Sequence, residues 1–215
     1  MPFMYSKLKR LLDIISSLFL VVLFLPVWVF VPLAILFDSG QPIFYRHKRV
    51  GKNGRQFWLY KFRTMIQDAD EYLYQNDQRL LKKFKQGDWK LANDPRITKF
   101  GRFLRNLTID EFPQFFNVLK GEMSLIGPRA YIKQELEEQS KKYPQTKQWI
   151  NTILSVKPGI TGPWQTSGRN EISFDKRAQI DLNYAKSYNL LGDLLIILKT
   201  PKAMLSKWQI LNLKN

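Results

Sequence analysis

The feature that most limits how this chain can fold is the uncharged hydrophobic stretch of residues 14–37, IISSLFLVVLFLPVWVFVPLAILF. As a helix, this stretch is long enough to reach across the hydrocarbon core of a bilayer. It follows a basic N-terminal segment, but it ends without the small-residue cleavage site of a secretory signal peptide. We therefore expect residues 1–40 to be retained as a membrane-anchoring segment ahead of a domain formed by residues 41–215.

The topology of this segment is left open by the residues around it. The chain is basic before the stretch and again directly after it, from Arg46 to Arg63. Basic residues favour the cytoplasmic side, so a helix that enters, bends and returns keeps both flanks there. Pro26 and Pro32 could supply the bend, because proline removes a backbone hydrogen bond inside a helix. A straight span with proline kinks fits the same residues.

The charge balance predicts an anionic partner. The chain carries 34 Lys and Arg against 18 Asp and Glu, a formal net charge of +16. Nucleic acid, acidic lipid head groups and a phosphorylated substrate would all satisfy this charge. The absence of cysteine excludes disulfides and thiolate metal sites, and the single histidine argues against a zinc centre or a serine-histidine triad. Carboxylates and arginines are left to carry any chemistry.

The remaining pattern predicts an α+β fold that is predominantly helical. Two short strands, at residues 42–45 and 56–62, flank the turn Gly51–Gly54 and form a small β-hairpin. The apolar segment 190–198 is too short to span; it either packs as a core helix or lies along a membrane interface as an amphipathic helix. Further helices are expected at residues 68–84 and 135–142, both facing solvent, and at residues 111–120 and 174–188. Glycine and proline are expected to break regular structure at residues 155–163, and Gly168–Asn170 continues an ordered loop or turn region.

An adjacent acidic pair, Asp110 and Glu111, stands among arginines in the run from Asn93 to Ala130. The guanidinium group is a permanently charged fork that matches phosphate oxygens. A carboxylate can attack phosphorus or hold the divalent cation that accompanies a diphosphate. The pattern therefore indicates phosphate chemistry, and its arginines are Arg96, Arg102, Arg105 and Arg129.

The helix that follows the pair allows a second interpretation. Pro113 is tolerated in a first turn, which places the acidic pair at the positive end of the helix, where a phosphate can also bind. However, Thr108 and Glu111 match a capping box, in which Glu111 only completes the start of the helix. Spacing alone does not decide between the two.

The chain resembles a known family through three motifs that follow one another in order. They are RHKRVGKNGRQFWLYKFRTM, DPRITKFGRFLRNLTIDEFPQFFNVLKGEMSLIGPR and KPGITGPWQTSGRN. Together with the hydrophobic N-terminus they resemble the bacterial sugar transferases, the monotopic phosphoglycosyl transferases, over nearly the whole chain. Glu122 and Ala130 stand where the commoner family pattern has Asp and Pro, and neither change removes the acidic pair.

The resemblance implies transfer of a sugar 1-phosphate from a UDP-sugar to polyprenyl phosphate, with release of UMP. Asp110 would be the nucleophile and form an aspartyl-phosphosugar intermediate, and Glu111 would help to bind Mg²⁺ together with Asp110 or manage a proton. The reaction would initiate synthesis of an exopolysaccharide, capsule, O-antigen or glycoprotein glycan. The substrate phosphates would be bound by Arg105 and Arg129, with Arg96 and Arg102 as further candidates.

The family also implies where the protein works. Its members have a re-entrant helix-break-helix segment around a proline, here Pro26, although many have serine where this chain has Leu25. The chain would be the catalytic module, on the cytoplasmic face of the bacterial inner membrane. Expected partners are a UDP-sugar, polyprenyl phosphate and membrane lipid, but no nucleic acid; the sugar and a homo-oligomeric state stay open. The alternative is a membrane-anchored basic binding protein or scaffold without catalysis.

Overall fold

The computed structural model describes residues 2–87, 89, 91, 93–167 and 172–212 of the chain. The fold is predominantly helical, as the sequence predicts, and contains two small sheets. The predicted loop at Gly168–Asn170 lies outside the described residues. The helices are α1 Pro2–Leu23, α2 Leu25–Ser39, α3 Ala69–Glu71, α4 Gln78–Gln86, α5 Lys99–Asn106, α6 Gln114–Lys120, α7 Lys133–Lys142, α8 Lys147–Ile153, α9 Pro163–Thr166, α10 Phe174–Ser187 and α11 Leu190–Asn212. The strands are β1 Phe44–Val50, β2 Gln56–Phe62, β3 Ser124–Ile126 and β4 Gly159–Thr161.

The hydrophobic stretch forms two helices that meet at Phe24 with a bend of 62°. Pro26 lies in the first turn of α2, where its missing N–H has no intrahelical partner to lose. Pro32 stays inside α2 without ending it. Among the described residues no single helix has the length and apolar composition of a membrane span, whereas the bent pair α1–α2 meets both criteria together. The break therefore lies beside Pro26, where the sequence places it.

The bent pair is attached to the rest of the fold by polar and apolar contacts. The Asp13 carboxylate of α1 accepts hydrogen bonds from Ser124 Oγ and from the Leu125 backbone N–H, both at 3.0 Å. On α2, Val31 and Ile35 are buried in a cluster with Phe62 and Leu104. The opposite faces of both helices expose large apolar side chains, among them Phe19, Phe30 and Phe37. One side of the pair therefore belongs to the core, and the other is left uncovered.

The predicted hairpin is present, with β1 and β2 antiparallel and Tyr45 opposite Lys61. A second, unpredicted sheet pairs β3 and β4 in parallel, with Ser124 opposite Gly159. Glycine is needed at this contact, because a Cβ on Gly159 would lie 2.0 Å from the backbone N of Gly127. The sequence prediction that residues 155–163 lack regular structure is wrong for Gly159–Thr161.

Two helix predictions also require correction. Residues 68–84 do not form one helix but α3, a π-helical turn at Tyr72–Asn76 and the start of α4. A new helix begins there because the Asp77 side chain accepts a hydrogen bond from Leu80 N at 2.8 Å. Residues 135–142 do not simply face solvent, because Glu135 is buried and accepts a hydrogen bond from Arg177 on α10 at 2.9 Å. The helix from residue 174 is confirmed, and that from residue 190 runs on to Asn212.

Candidate active site

The acidic pair lies against the hairpin. Lys61 of β2 donates hydrogen bonds from Nζ to Asp110 Oδ2 at 3.2 Å and to Glu111 Oε1 at 2.7 Å. Burial alone would lower the pKa of Lys61, but the two carboxylates outweigh burial and raise the pKa above its ordinary value. Asp110 is buried, while Glu111 is partly exposed. The structure therefore joins the predicted nucleophile and its neighbour to one cation that is about 50 residues earlier in the sequence.

The local backbone excludes the capping-box interpretation. Asp110 and Glu111 lie in a 3₁₀ turn, Ile109–Glu111, that precedes α6, so the helix expected from residue 111 begins at Gln114. Thr108 has a left-handed conformation with φ of 60°, and its side chain does not cap the turn. Its buried hydroxyl oxygen has no hydrogen-bond partner among the described residues. The Glu111 carboxylate binds Lys61 instead, and so is directed towards the site.

Helix α6 is held against β2 by one asparagine. Asn117 accepts a hydrogen bond from Tyr60 N at 3.1 Å and donates one to Trp58 O at 2.7 Å. Its side-chain amide thus pairs with the backbone N–H and C=O groups on the free edge of β2. Asn117 is completely buried, which fixes this register. Because Lys61 directly follows Tyr60, the same contact sets Lys61 opposite the turn that carries the acidic pair.

Arg105 reaches the same place from α5. Thr98 caps this helix by accepting from Gly101 N at 2.8 Å, and Gly101 permits a very close approach, since a Cβ there would lie 2.1 Å from Thr64 O. The Nε of Arg105 then donates to Thr64 Oγ1 at 2.8 Å. Burial lowers the pKa of Arg105, and the nearby Asp110 carboxylate acts against that shift. Arg105 is thus a partly buried cation beside the predicted nucleophile.

Two further arginines of the predicted set, Arg96 and Arg102, are placed differently. Arg96 is buried and forms a bidentate ion pair with Asp94, at 2.8 Å from Nε and 2.6 Å from Nη2. Its Nη1 donates to Ala69 O. Arg102 lies on the exposed surface of α5. Phosphate binding by Arg96 and Arg102 stays a prediction, and the fork of Arg96 is occupied by a carboxylate of the protein itself.

Arg129 lies in the loop after β3, which packs closely on β4. Its backbone N donates to Asp181 Oδ2 at 3.1 Å, and its guanidinium lies 5.1 Å from the centre of the Trp164 ring. Arg49 of β1 donates to Ala130 O at 3.1 Å in the same loop. Burial first and then repulsion from Arg129 lower the pKa of Arg49 to about 10, and the negative charges of Glu135 and, to a smaller extent, Glu111 oppose this. Arg49 thus interacts electrostatically with the Arg129 loop, with Glu135 and, more weakly, with Glu111 of the acidic pair.

Beneath this loop lies a buried cluster formed by Tyr131, Glu135, Arg177 and Asp181, each no more than 1% exposed. Tyr131 donates to Asp181 at 2.7 Å. Burial raises the pKa of Asp181 to about 6, although its hydrogen bonds and the nearby arginines act in the opposite direction. Burial would also raise the pKa of Glu135, but Arg129, Arg177 and Arg49 lower it below its ordinary value. The cluster packs against the side of the Arg129 loop that solvent does not reach.

The acidic pair fits a magnesium ion that arrives with a diphosphate. Mg²⁺ in proteins is commonly bound by one or two carboxylates and completed by substrate phosphates and water. Asp110 and Glu111 supply two carboxylates that converge on one cationic group, Lys61 Nζ. No group of three or more acidic, histidine or cysteine side chains that could hold a metal by itself occurs in the described part of the chain. The donor set therefore suits a metal shared with the substrate.

Sequence reasoning did not single out Lys61 and Arg49, but their strands carry a usable signal. In β2 the alternate residues Phe57 and Leu59 are buried, and Lys61 is the next residue on that face. The register places Arg49 opposite Phe57, on the same face. A charged residue on the core face of a strand is unusual, and here it indicates a site.

Comparison with known proteins agrees with the geometry. The family model for bacterial sugar transferases matches residues 4–207. The undecaprenyl-phosphate galactose phosphotransferase of Salmonella typhimurium is 40% identical over 203 residues, 93% of this chain and 41% of that protein. The exopolysaccharide production protein ExoY of Rhizobium meliloti is 37% identical over 93% of this chain and 86% of its own length.

A UDP-N-acetylgalactosamine-undecaprenyl-phosphate N-acetylgalactosaminephosphotransferase of Aeromonas hydrophila is 35% identical over 94% of this chain and 44% of its own. The chain thus spans about two fifths of the length of the Salmonella and Aeromonas relatives and most of the length of ExoY. The match to the family model covers the helix pair, the hairpin, the acidic pair and the Arg129 loop in one continuous alignment. The chain belongs to the bacterial sugar transferase family.

Proposed function

We propose that this protein transfers a sugar 1-phosphate from a UDP-sugar to polyprenyl phosphate, giving a polyprenyl diphosphate sugar and UMP. The observation that carries the proposal is the placement of Asp110, a buried carboxylate in contact with Lys61 and beside Arg105. A carboxylate that attacks an anionic diphosphate must overcome charge repulsion. Cations fixed around it reduce that repulsion and stabilise the charge that develops on the phosphoryl oxygens.

The reaction divides into two displacements at one phosphorus atom. In the first, an oxygen of Asp110 forms a bond to the sugar-bearing phosphorus of the UDP-sugar. The bond from that phosphorus to the bridging oxygen breaks, and UMP leaves with the electron pair. In the second, a phosphate oxygen of polyprenyl phosphate attacks the same phosphorus, and the bond to Asp110 breaks. The carboxylate is regenerated, and neither step requires the donor diphosphate and the lipid phosphate to be bound at the same time.

The remaining side chains bind and orient the substrate. Arg105 is positioned to contact the phosphoryl group at Asp110, while Arg129 and Arg49 offer two guanidinium groups on the side of Glu111. A Mg²⁺ ion on Asp110 and Glu111 would neutralise the diphosphate and assist the departure of UMP.

The bent helix pair would position the site at the membrane. We propose that α1 and α2 form a re-entrant segment, so that both ends lie on the cytoplasmic face of the bacterial inner membrane. The exposed apolar faces of the pair support this, and α11 exposes a further row formed by Leu191, Leu194, Leu195 and Leu198. Such an arrangement would hold Asp110 near the depth of the lipid phosphate and restrict the orientation of the acceptor.

The decisive experiment separates the two displacements. Detergent-purified protein is mixed with Mg²⁺ and each member of a panel of UDP-sugars, first without and then with polyprenyl phosphate. Without lipid we expect at most one UMP per protein and an increase in intact mass equal to one phosphosugar. With lipid we expect turnover and loss of the adduct.

The matched variants are Asp110→Asn at the site and Asp38→Asn on the exposed surface. Asp110→Asn should lose the adduct and about a thousandfold or more of the turnover, as expected for removal of a nucleophile; Asp38→Asn should keep both. UMP release that survives Asp110→Asn would overturn the nucleophile assignment. If folded protein released no UMP from any donor, a basic binding protein or scaffold would become the better interpretation.

A further inference from the structure

A second cavity lies away from the acidic pair, between the start of α1 and the β3–β4 pair. Its volume is about 200 Å³, room for much more than one water molecule. Four basic residues, Lys9, Arg10, Lys52 and Lys157, line it together with one acidic residue, Asp13, and with uncharged residues that include Tyr188. We propose that this cavity binds the phosphate group of an anionic membrane lipid, at a site separate from the catalytic one.

The charges of the cavity are only partly compensated. Lys9 is paired with Asp193 at 2.6 Å, and the Asp13 carboxylate is committed to Ser124 and the Leu125 backbone. Arg10, Lys52 and Lys157 form no ion pair within the described residues. The Nη2 of Arg10 and the Nζ of Lys157 both lie 3.5 Å from the position that a Cβ would occupy on Gly121. Two cationic groups therefore lie close to each other beside Gly121.

The neighbouring cations disfavour the protonated form of Lys157 when no anion is bound. Burial, Arg10 and Lys52 lower the pKa of Lys157, and Asp13 opposes them only in part. An anion that enters the cavity would relieve this repulsion, so the geometry of the cluster favours a negatively charged group. A phosphate monoester or diester is such a group, and it can accept hydrogen bonds from a guanidinium and an ammonium at once.

The surroundings of the cavity favour an amphiphile over a free ion. On α1 the polar residues Ser6, Arg10, Asp13 and Ser17 recur at helical spacing and face the domain, whereas Leu8, Leu11, Leu12 and Ile15 are exposed on another face. Tyr5 and Lys9 bind Asp193, which attaches the start of α11, a helix with several exposed leucines, to the part of α1 that lines the cavity. An anionic head group on Arg10 and Lys157 could thus keep its apolar chains on neighbouring apolar surface.

This cavity cannot hold the reacting phosphate. Arg10 donates to Val118 O and Leu119 O, the carbonyls at the C-terminal end of α6, whereas Asp110 precedes the other end of that helix. Helix α6 has seven residues and is therefore about 10 Å long. A phosphate bound beside Arg10 lies out of reach of Asp110, so we assign the cavity to a lipid that is neither donor nor acceptor.

The test compares two double variants with equal change of charge. Lys52→Gln with Lys157→Gln alters the cavity and spares Arg10, which holds α6. Lys133→Gln with Lys147→Gln is the control, since both lysines lie on exposed surface of α7 and α8. The probe is dioleoyl phosphatidylglycerol, titrated into phosphatidylcholine-detergent micelles that contain the full-length protein. Bound lipid is measured by native mass spectrometry.

We expect each cavity lysine to contribute about fivefold to phosphatidylglycerol affinity, since a basic residue near an anionic surface contributes about 1 kcal/mol. The control should bind as the unmodified protein does. Equal loss in both double variants would overturn the proposal, because general surface charge would then explain the binding. Full displacement of the lipid by millimolar inorganic phosphate would overturn the lipid assignment. The titration needs no turnover, so its result is independent of the UMP assay.

Discussion

Two clusters of opposite charge in this fold use the same residue types and differ mainly in their access to solvent. The catalytic cluster, so named for its proposed role, joins Lys61 and Arg105 to Asp110 and Glu111, and Glu111 and both cations are partly exposed. The buried cluster joins Arg177 to Glu135 and Tyr131 to Asp181, and none of its members is more than 1% exposed. A charged contact that a substrate can enter is able to exchange partners, whereas a sealed contact can only hold the fold.

The two clusters also differ in how their charged groups are partnered. In the buried cluster Arg177 donates to Glu135 and lies over the rings of Tyr131, Trp164 and Phe174. This contact ties α7 to α10 and stabilises the support beneath the Arg129 loop. In the catalytic cluster one lysine is shared by two carboxylates, so cations and anions can rearrange when a diphosphate and Mg²⁺ arrive. Identical chemistry thus serves stability in one place and, on our proposal, catalysis in the other.

The largest expected effect is on the buried cluster. Arg177→Met should lower the free energy of unfolding by about 3–5 kcal/mol, because it leaves the Glu135 carboxylate buried without its hydrogen-bonding partner. The measurement is thermal unfolding in detergent, followed by tryptophan fluorescence. Arg177→Met combined with Glu135→Leu should recover much of the loss. A single variant as stable as the unmodified protein would show that the contact does not hold the fold.

The catalytic cluster should respond in rate instead of stability. Lys61→Met removes the cation shared by the acidic pair, and we expect kcat/KM for UMP release to fall by about 100- to 1000-fold, the range for one preorganised electrostatic contact. The unfolding temperature should change little, because Glu111 and Lys61 are reached by water and Arg105 remains beside the buried Asp110. Lys48→Met on the exposed face of β1 is the control. If Lys61→Met lowered stability strongly and left activity unchanged, the contacts of Lys61 would serve the fold, as those of Arg177 do.

The smallest effect concerns pH. The pKa of Asp181 is raised to about 6 in the folded protein, above its ordinary value of 3.8. Its neutral form is therefore favoured by folding, and this stabilisation is present below about pH 4 and lost as the pH rises through 6. The loss is at most about 3 kcal/mol, at 1.36 kcal/mol for each pKa unit. The unfolding temperature of the unmodified protein should thus fall relative to Asp181→Asn between pH 4 and 6.

Above pH 7 the difference between the two proteins should be constant, because Asp181 is then ionised in both the folded and the unfolded state. Asp175→Asn on the same helix provides the control, since Asp175 is partly exposed. A difference that changed equally with pH in both variants would show that the burial of Asp181 is not the cause.

Much of the fold and of the candidate site was predictable because it depends on residues that are close together in the sequence. The acidic pair, the proline beside the helix break, the hairpin turn and the helix from residue 174 depend on local patterns of charge, proline, glycine and apolar spacing. The roles of individual arginines were not predictable in this way. The family resemblance ranked Arg105 and Arg129 ahead of Arg96 and Arg102, but only packing decided that Arg96 binds Asp94 while Arg105 lies beside Asp110.

The sequence by itself determined the hydrophobic segment, the acidic pair, the excess of positive charge and membership of the family, because each is carried by residue types in short runs. Only the tertiary structure decided that Lys61 joins Asp110 to Glu111, that Glu135 is sealed against Arg177, and that Arg10 and Lys157 meet at a second cavity. These contacts link residues 42 or more positions apart in the chain. Their formation depends on how helices and strands pack, which spacing along the sequence does not encode.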